Sequence, residues 1–281
     1  MARRQAIPAG KRCIAALGGI VLGFSLFSDS GAGGRAAERV LPSAPVATAS
    51  LRLVEDASGL DMTTTGTIAS GLFGSVAFPF KPGALFRWKE IEKASEKLSP
   101  ESCGDKKACR TRLKLLNETV SAVADEPLLR KIEAVNVAVN RLISYGKDID
   151  VHGQLDYWAT PDEILAFGKG DCEDYAILKR AALRKAGVPA EDMTLVVLRE
   201  SRRNFYHAVL TVTVEGKNYV LDNMRSQVLV DRQLPEYQAL YSLGTERAWV
   251  HGYKRGSEYA MQKRPASLDA VQPGEGIPAS F

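Results

Sequence analysis

The chain reads as an α+β protein, with helices first and an antiparallel sheet after them. Three observations predict this. Segments with apolar residues at helical spacing fill the region before residue 187. Gly187 and Pro189 then mark a break. Beyond it, short β-branched runs are separated by turn residues, the order expected when helices and strands segregate along the chain.

Taken in order, Phe86 to Leu98 carries apolar residues at roughly helical spacing, and a second helix is predicted from Pro127 to Tyr145. Leu128, Ile132, Val135, Val139, Leu142 and Ile143 mark its buried face; Pro127 suits the first turn and Gly146 the end. Thr160, Pro161 and Glu163 form a capping-box pattern that opens a short helix running to Phe167. Gly168 and Gly170 lead into a helix over 171–186. Strands are predicted at Met193–Leu198, His207–Val214 and Asn218–Asp222, with an edge strand at Val228–Val230. No internal repeat is present.

The 281 residues are 45% hydrophobic and 25% charged, enough chain for one sizeable core. The N-terminus carries Arg3, Arg4, Lys11 and Arg12, then a 15-residue apolar run from Cys13 to Phe27, then Ser30-Gly31-Ala32. A run this short does not span a membrane comfortably, so residues 1–32 are expected to be an export signal and the mature chain periplasmic; the alternative is an uncleaved anchor. Removing them takes four basic residues and one acid, lowering the net charge from +4 to +1. No basic patch with interleaved aromatics is present, so nucleic acid is not an expected partner. Residues 33–80 are rich in Ala, Gly, Ser, Thr and Pro and read as a linker and loosely ordered lead-in. The folded domain is expected over 81–262, with 263–281 a flexible tail.

Of four cysteines, Cys13 belongs to the signal, and Cys103 and Cys109 can close a small disulfide loop in an oxidising compartment. Cys172 is then the odd thiol, and an unpaired thiol in an exported protein calls for a reason. It lies in Gly170-Asp171-Cys172-Glu173-Asp174-Tyr175, where a loop becomes a helix and the macrodipole favours the thiolate. His207 and Asp222 follow on adjacent strands. If Glu215 and Gly216 make a two-residue turn, Val214 pairs with Lys217, and Asp222 becomes a diagonal neighbour of His207. A four-residue loop would instead set Asp222 opposite Thr211. With the first register, Cys172 is a candidate nucleophile, His207 its base and Asp222 the group that orients the imidazole. The Cys172 N–H is a candidate oxyanion donor, and the Trp158 indole a second. His152 and His251 compete less well, lying in a loop before the thiol and in the C-terminal stretch.

Asp171, Glu173 and Asp174 flank the thiol. They suit either helix capping or a calcium site, because clustered carboxylates favour a hard cation. Three carboxylates would also raise the thiol pKa, an effect a bound cation would offset.

These residues, with Tyr157 to Glu163, His207 to Leu210 and Leu221 to Asn223, resemble the bacterial transglutaminase-like cysteine proteinases, the family of LapG-like periplasmic proteases. The resemblance covers about Phe86 to Val230. It implies a papain-like, transglutaminase-core fold, a Cys172–His207–Asp222 triad, and calcium held by Asp171, Glu173 and Asp174. It also implies a protein or peptide substrate such as a large surface adhesin in biofilm attachment, and control by an inner-membrane regulatory receptor. Transglutaminase-type amide transfer and a non-catalytic binding module on the same fold remain alternatives.

Overall fold

The structure is a computed structural model, and it describes residues 71–80, 86–253, 268 and 271–274. The export signal, most of the lead-in and most of the C-terminal tail lie outside the described residues.

Six helices and nine strands are described: α1 Phe86–Glu96, α2 Lys107–Ala122, α3 Leu128–Leu142, α4 Asp148–Val151, α5 Pro161–Phe167 and α6 Cys172–Lys185, with β1 Val76–Phe80, β2 Ser144–Tyr145, β3 Lys169–Gly170, β4 Met193–Glu200, β5 Phe205–Val214, β6 Lys217–Leu221, β7 Leu229–Val230, β8 Tyr237–Leu243 and β9 Ala248–Gly252. Seven strands form one antiparallel sheet in the order β1-β9-β8-β4-β5-β6-β7, and β2 and β3 pair separately. The α+β prediction holds.

Helix α6 fixes the plan. Every residue from Cys172 to Leu183 is buried, including Lys179 and Arg180. A helix buried all round must sit in the middle of a layered structure. It packs on β4 and β5 on one side and on α1, α3 and α5 on the others. Arg180 is tied to Glu92 of α1 by two contacts, Nε to Oε1 at 2.6 Å and Nη2 to Oε2 at 2.9 Å. Strand β4 is buried on both faces as well. Leu195 and Val197 join the main core, whereas Val196 and Leu198 join a second cluster with Phe73, Val209, Val220 and Tyr237. A strand covered on both faces reads as a continuous apolar run rather than an alternation.

The β5–β6 hairpin takes the two-residue form, with Val214 opposite Lys217 and Leu210 opposite Leu221. Both Glu215 (φ 50°) and Gly216 (φ 73°) adopt the left-handed conformation such a turn needs. Cys103 and Cys109 are joined by a disulfide at the start of α2.

Three boundaries move. The lead-in read over 33–80 ends in a buried turn and in β1, which pairs with β9, so the folded unit begins before residue 81. Strands β8 and β9 extend the sheet past the last predicted strand. Residues 271–274, inside the expected flexible tail, pack against the core, where Val271 is buried.

Candidate active site

Cys172 opens α6 because Gly170 brings the chain toward the helix without a side chain in the way. A Cβ on Gly170 would stand 2.4 Å from Asp174 Oδ2, so glycine lets Asp174 fold back under the turn. Asp171 holds the N-cap position, yet its side chain makes no cap hydrogen bond. Capping therefore does not account for that acid.

The Cys172 sulfur accepts the Ala208 N–H at 3.3 Å, which sets it beside the residue following His207. His207 Nε2 lies 3.0 Å from Asp222 Oδ1. The predicted histidine and acid are therefore brought together, and the thiol is brought to the same strand. Asp222 is held by more than the histidine. Its Oδ1 also accepts the Met224 N–H at 2.9 Å; its Oδ2 accepts the Tyr237 hydroxyl at 2.6 Å and lies 3.2 Å from Arg225 Nε. Asn140 of α3 donates to its backbone carbonyl at 2.9 Å. Burial works against the Asp222 carboxylate, but the His207 hydrogen bond and charge, with Tyr237 and the Met224 N–H, outweigh it and hold the carboxyl well below the usual range. Tyr237 and Arg225 gave no signal in the sequence, because they meet Asp222 only through the returning loop and β8.

The third link is not closed. Among the described residues the Cys172 thiol makes no hydrogen bond to His207; it donates to Glu173 Oε2 at 3.2 Å. Cys172 is 2% exposed. Burial, then the Asp171 charge, push its thiol well above the ordinary value, and the hydrogen bonds it shares with Glu173 and the Ala208 N–H offset only part.

Asp171, Glu173 and Asp174 are all buried, but they do not form one set of converging ligand atoms. Glu173 converges with Asp148 and Asp156; Asp174 with Asp148 and His152; Asp171 with Cys172 and Glu173. Within each group one ligand atom per residue lies within 4.8 Å of the others. The sequence missed Asp148 and Asp156, which sit on a one-turn helix and a loop where no periodicity marks them. Among the described residues, Glu173 Oε1 and Asp174 Oδ2 are buried without a hydrogen-bond partner. Burial, then the charge of Asp171, raise both carboxyls well above their usual range. Burial raises Asp156 too. A cluster of mostly buried oxygens with unmet acceptors, open to solvent at Asp156, fits a divalent cation of the calcium type. Trp158 departs from its expected role: its indole N–H donates to Asp156 Oδ1 at 3.1 Å and is not free for an oxyanion. His251 is held between Ser75 and Ser242, at 2.7 and 2.8 Å, and burial pushes it down to about 4.

The sequence pattern of the bacterial transglutaminase-like cysteine proteinases (BTLCP) matches residues 101–254, more than half of the chain. The chain belongs to this family. Within the family of cysteine peptidases, it is similar to Legionella pneumophila LapG, solved in a calcium-bound form (26% identity over 60% of this chain and 92% of that one, TM-score 0.47) and in an EGTA-treated form (26% identity, 61% and 92%, TM-score 0.46). It is also 27% identical over 134 residues to a UPF0252 protein of Archaeoglobus fulgidus; the match spans 48% of this chain and 39% of that protein.

Proposed function

We propose that this transglutaminase-like cysteine proteinase is an extracytoplasmic endopeptidase with Cys172 as nucleophile, His207 as general base and acid, and Asp222 as orienting group. One observation carries the reading: the His207–Asp222 pair and the Cys172 sulfur are both fastened to the start of β5, the sulfur through the Ala208 N–H. With Nε2–H given to Asp222, Nδ1 is the imidazole nitrogen left to accept a proton. The S–H proton passes to Nδ1 as sulfur bonds to the peptide carbonyl carbon. The C–N bond then breaks, and the imidazolium returns that proton to the leaving amine. Water, deprotonated by the same nitrogen, cleaves the thioester and restores the thiol.

Calcium fits the carboxylate cluster. Asp148, Asp156 and Glu173 are the residues that would hold it, with Asp171 beside Glu173 and Asp174 beside Asp148 adding negative charge, which widens the set expected from the sequence. When bound, the ion supplies positive charge that offsets the carboxylates pressing on Cys172. The disulfide supports an oxidising compartment such as the periplasm. A surface adhesin is the proposed substrate, with an inner-membrane receptor as regulator.

The test is cleavage of an adhesin fragment by the full chain, with Cys172→Ala and His207→Ala as controls and a primary amine added in parallel. Hydrolysis lost in both variants supports the reading. Amide products in the amine arm assign the acyl-enzyme to transfer instead. Cleavage by Cys172→Ala at the parent rate overturns it.

A further inference from the structure

The open edge of β5 holds a second occupant besides the thiol. Strand β6 pairs with β5 only as far as Leu210 opposite Leu221. Before that point β6 has left, and the β5 groups that would have faced it need other partners. In an antiparallel pair closed by a two-residue turn, every second residue points its N–H and C=O at the neighbour. Counting back from Val214 by twos, Ala208 and Tyr206 both face the vacated edge. The Ala208 N–H takes the Cys172 sulfur at 3.3 Å, and the Tyr206 carbonyl takes the Gly274 N–H at 3.0 Å. Sulfur and Gly274 therefore occupy consecutive places on one edge.

Gly274 is held from the other side as well. The Tyr145 hydroxyl donates to its carbonyl at 3.3 Å. A Cβ there would stand 3.0 Å from Asp171 Oδ2 and 3.2 Å from the Tyr145 oxygen, and φ is +82°. The segment thus touches the residue preceding Cys172 and the residue preceding His207. Val271 and Pro273 are buried, and Leu268 packs on the core. With the segment in place, Cys172 is 2% and His207 1% exposed. A peptidase nucleophile must be reached by a main-chain carbonyl, which these figures do not allow.

We propose that Val271–Gly274 is an internal occupant of the substrate groove: it takes the β5 edge beside Cys172 where an extended peptide would bind, and leaves before substrate enters. The Tyr206 carbonyl and the Tyr145 hydroxyl are then substrate-positioning groups that read a peptide backbone irrespective of its side chains, in the manner of strand addition. The proposal rests on the peptidase reading for its consequence, but its geometry can be tested without turnover.

The test compares the full chain with Gly274→Glu, which meets Asp171 and a positive φ, and with Val271→Asp, which loses the buried anchor. Cys172 alkylation by iodoacetamide is followed by mass spectrometry, with melting temperature as the folding control. Alkylation at least tenfold faster in Gly274→Glu at unchanged melting temperature is expected. A synthetic peptide of residues 268–276 added to that variant should slow alkylation again, and should raise KM for peptide hydrolysis without changing kcat. Equal alkylation rates in the full chain and both variants overturn the proposal. Faster alkylation without any hydrolysis keeps it and sinks the peptidase reading; hydrolysis at one common rate in all three does the reverse.

Discussion

Replacing Lys179 with methionine should stabilise this protein, and the gain should depend on pH in one direction. Lys179 is fully buried on α6, and its Nζ has no hydrogen-bond partner among the described residues. The Tyr175 ring lies 5.8 Å away. Burial drives the ammonium down from 10.5 to about 7, against a pull upward from the Asp222 charge. At roughly 1.36 kcal/mol per pH unit, that gap corresponds to a contribution on the order of 4–5 kcal/mol. The unfolded chain takes up this proton below 10.5, the folded chain only near 7. Stability is therefore at its fullest above 10.5, falls as pH drops toward 7, and is level below that.

Methionine has nearly the same length and carries no proton, so the variant lacks this slope. In urea unfolding at pH 7, Lys179→Met should be more stable by about 2–4 kcal/mol, with the lower end reflecting relaxation around the site. The difference should shrink steadily toward pH 10 at equal m-values. All other titrating groups are common to both proteins and cancel. A variant less stable than the parent at pH 7, or a gain that ignores pH, would show that Lys179 is satisfied by a partner and refute the reasoning.

Tyr237→Phe removes the 2.6 Å donor from Asp222; a hydrogen bond to a charged group is worth roughly 1.5–3 kcal/mol, so kcat/KM should fall about tenfold or more, while cavity effects stay small. An unchanged value would mean that Arg225 and Met224 suffice. The Cys103–Cys109 loop spans six positions; Cys103→Ser with Cys109→Ser should cost about 2 kcal/mol in urea unfolding, and reducing agent should have the same effect on the parent alone. Calcium titration of the chelated protein should raise the melting temperature and the Cys172 alkylation rate at pH 7 together, and Glu173→Gln with Asp174→Asn should abolish both responses. A calcium response retained by that double variant would place the ion elsewhere.

The parts of the fold that the sequence made legible are those where one local rule acts alone. Helix α6 was expected over 171–186 and runs Cys172–Lys185, because glycines bound it at both ends. The β5–β6 register followed from one turn, and with it the His207–Asp222 pair. Helix α2 went unread although Cys109, Leu113, Leu116 and Val120 have helical spacing, because the cysteines at its start read as a disulfide loop. Strand β8 is buried at six of seven positions, so no alternation separates its faces. Asp148 and Asp156 belong to a segment shaped by tertiary contacts; the Tyr157 N–H bonded to Asp148 is one of them. Such convergence leaves no mark on spacing.

The carboxylates also overturn the simplest electrostatic view of Cys172. A helix N-terminus stabilises an anion by roughly 0.3–1 kcal/mol, and at most about 2 in a partly buried site. One carboxylate about 5 Å away opposes the thiolate by roughly 3 kcal/mol at an effective dielectric near 20. Burial is the larger cause, and the Asp171 charge, which alone cancels the dipole, adds to it, which is why the thiol is raised rather than lowered. Protonating Glu173 relieves part of the repulsion but leaves the sulfur donating to it, away from His207. On the calcium reading proposed above, a doubly charged cation held among the same oxygens would reverse the sign of the local field and compete for Glu173, which would lower the thiol and free it toward the imidazole. On that same reading the acids around Cys172 would be ligands whose charge, without the ion, holds the thiol in its protonated form.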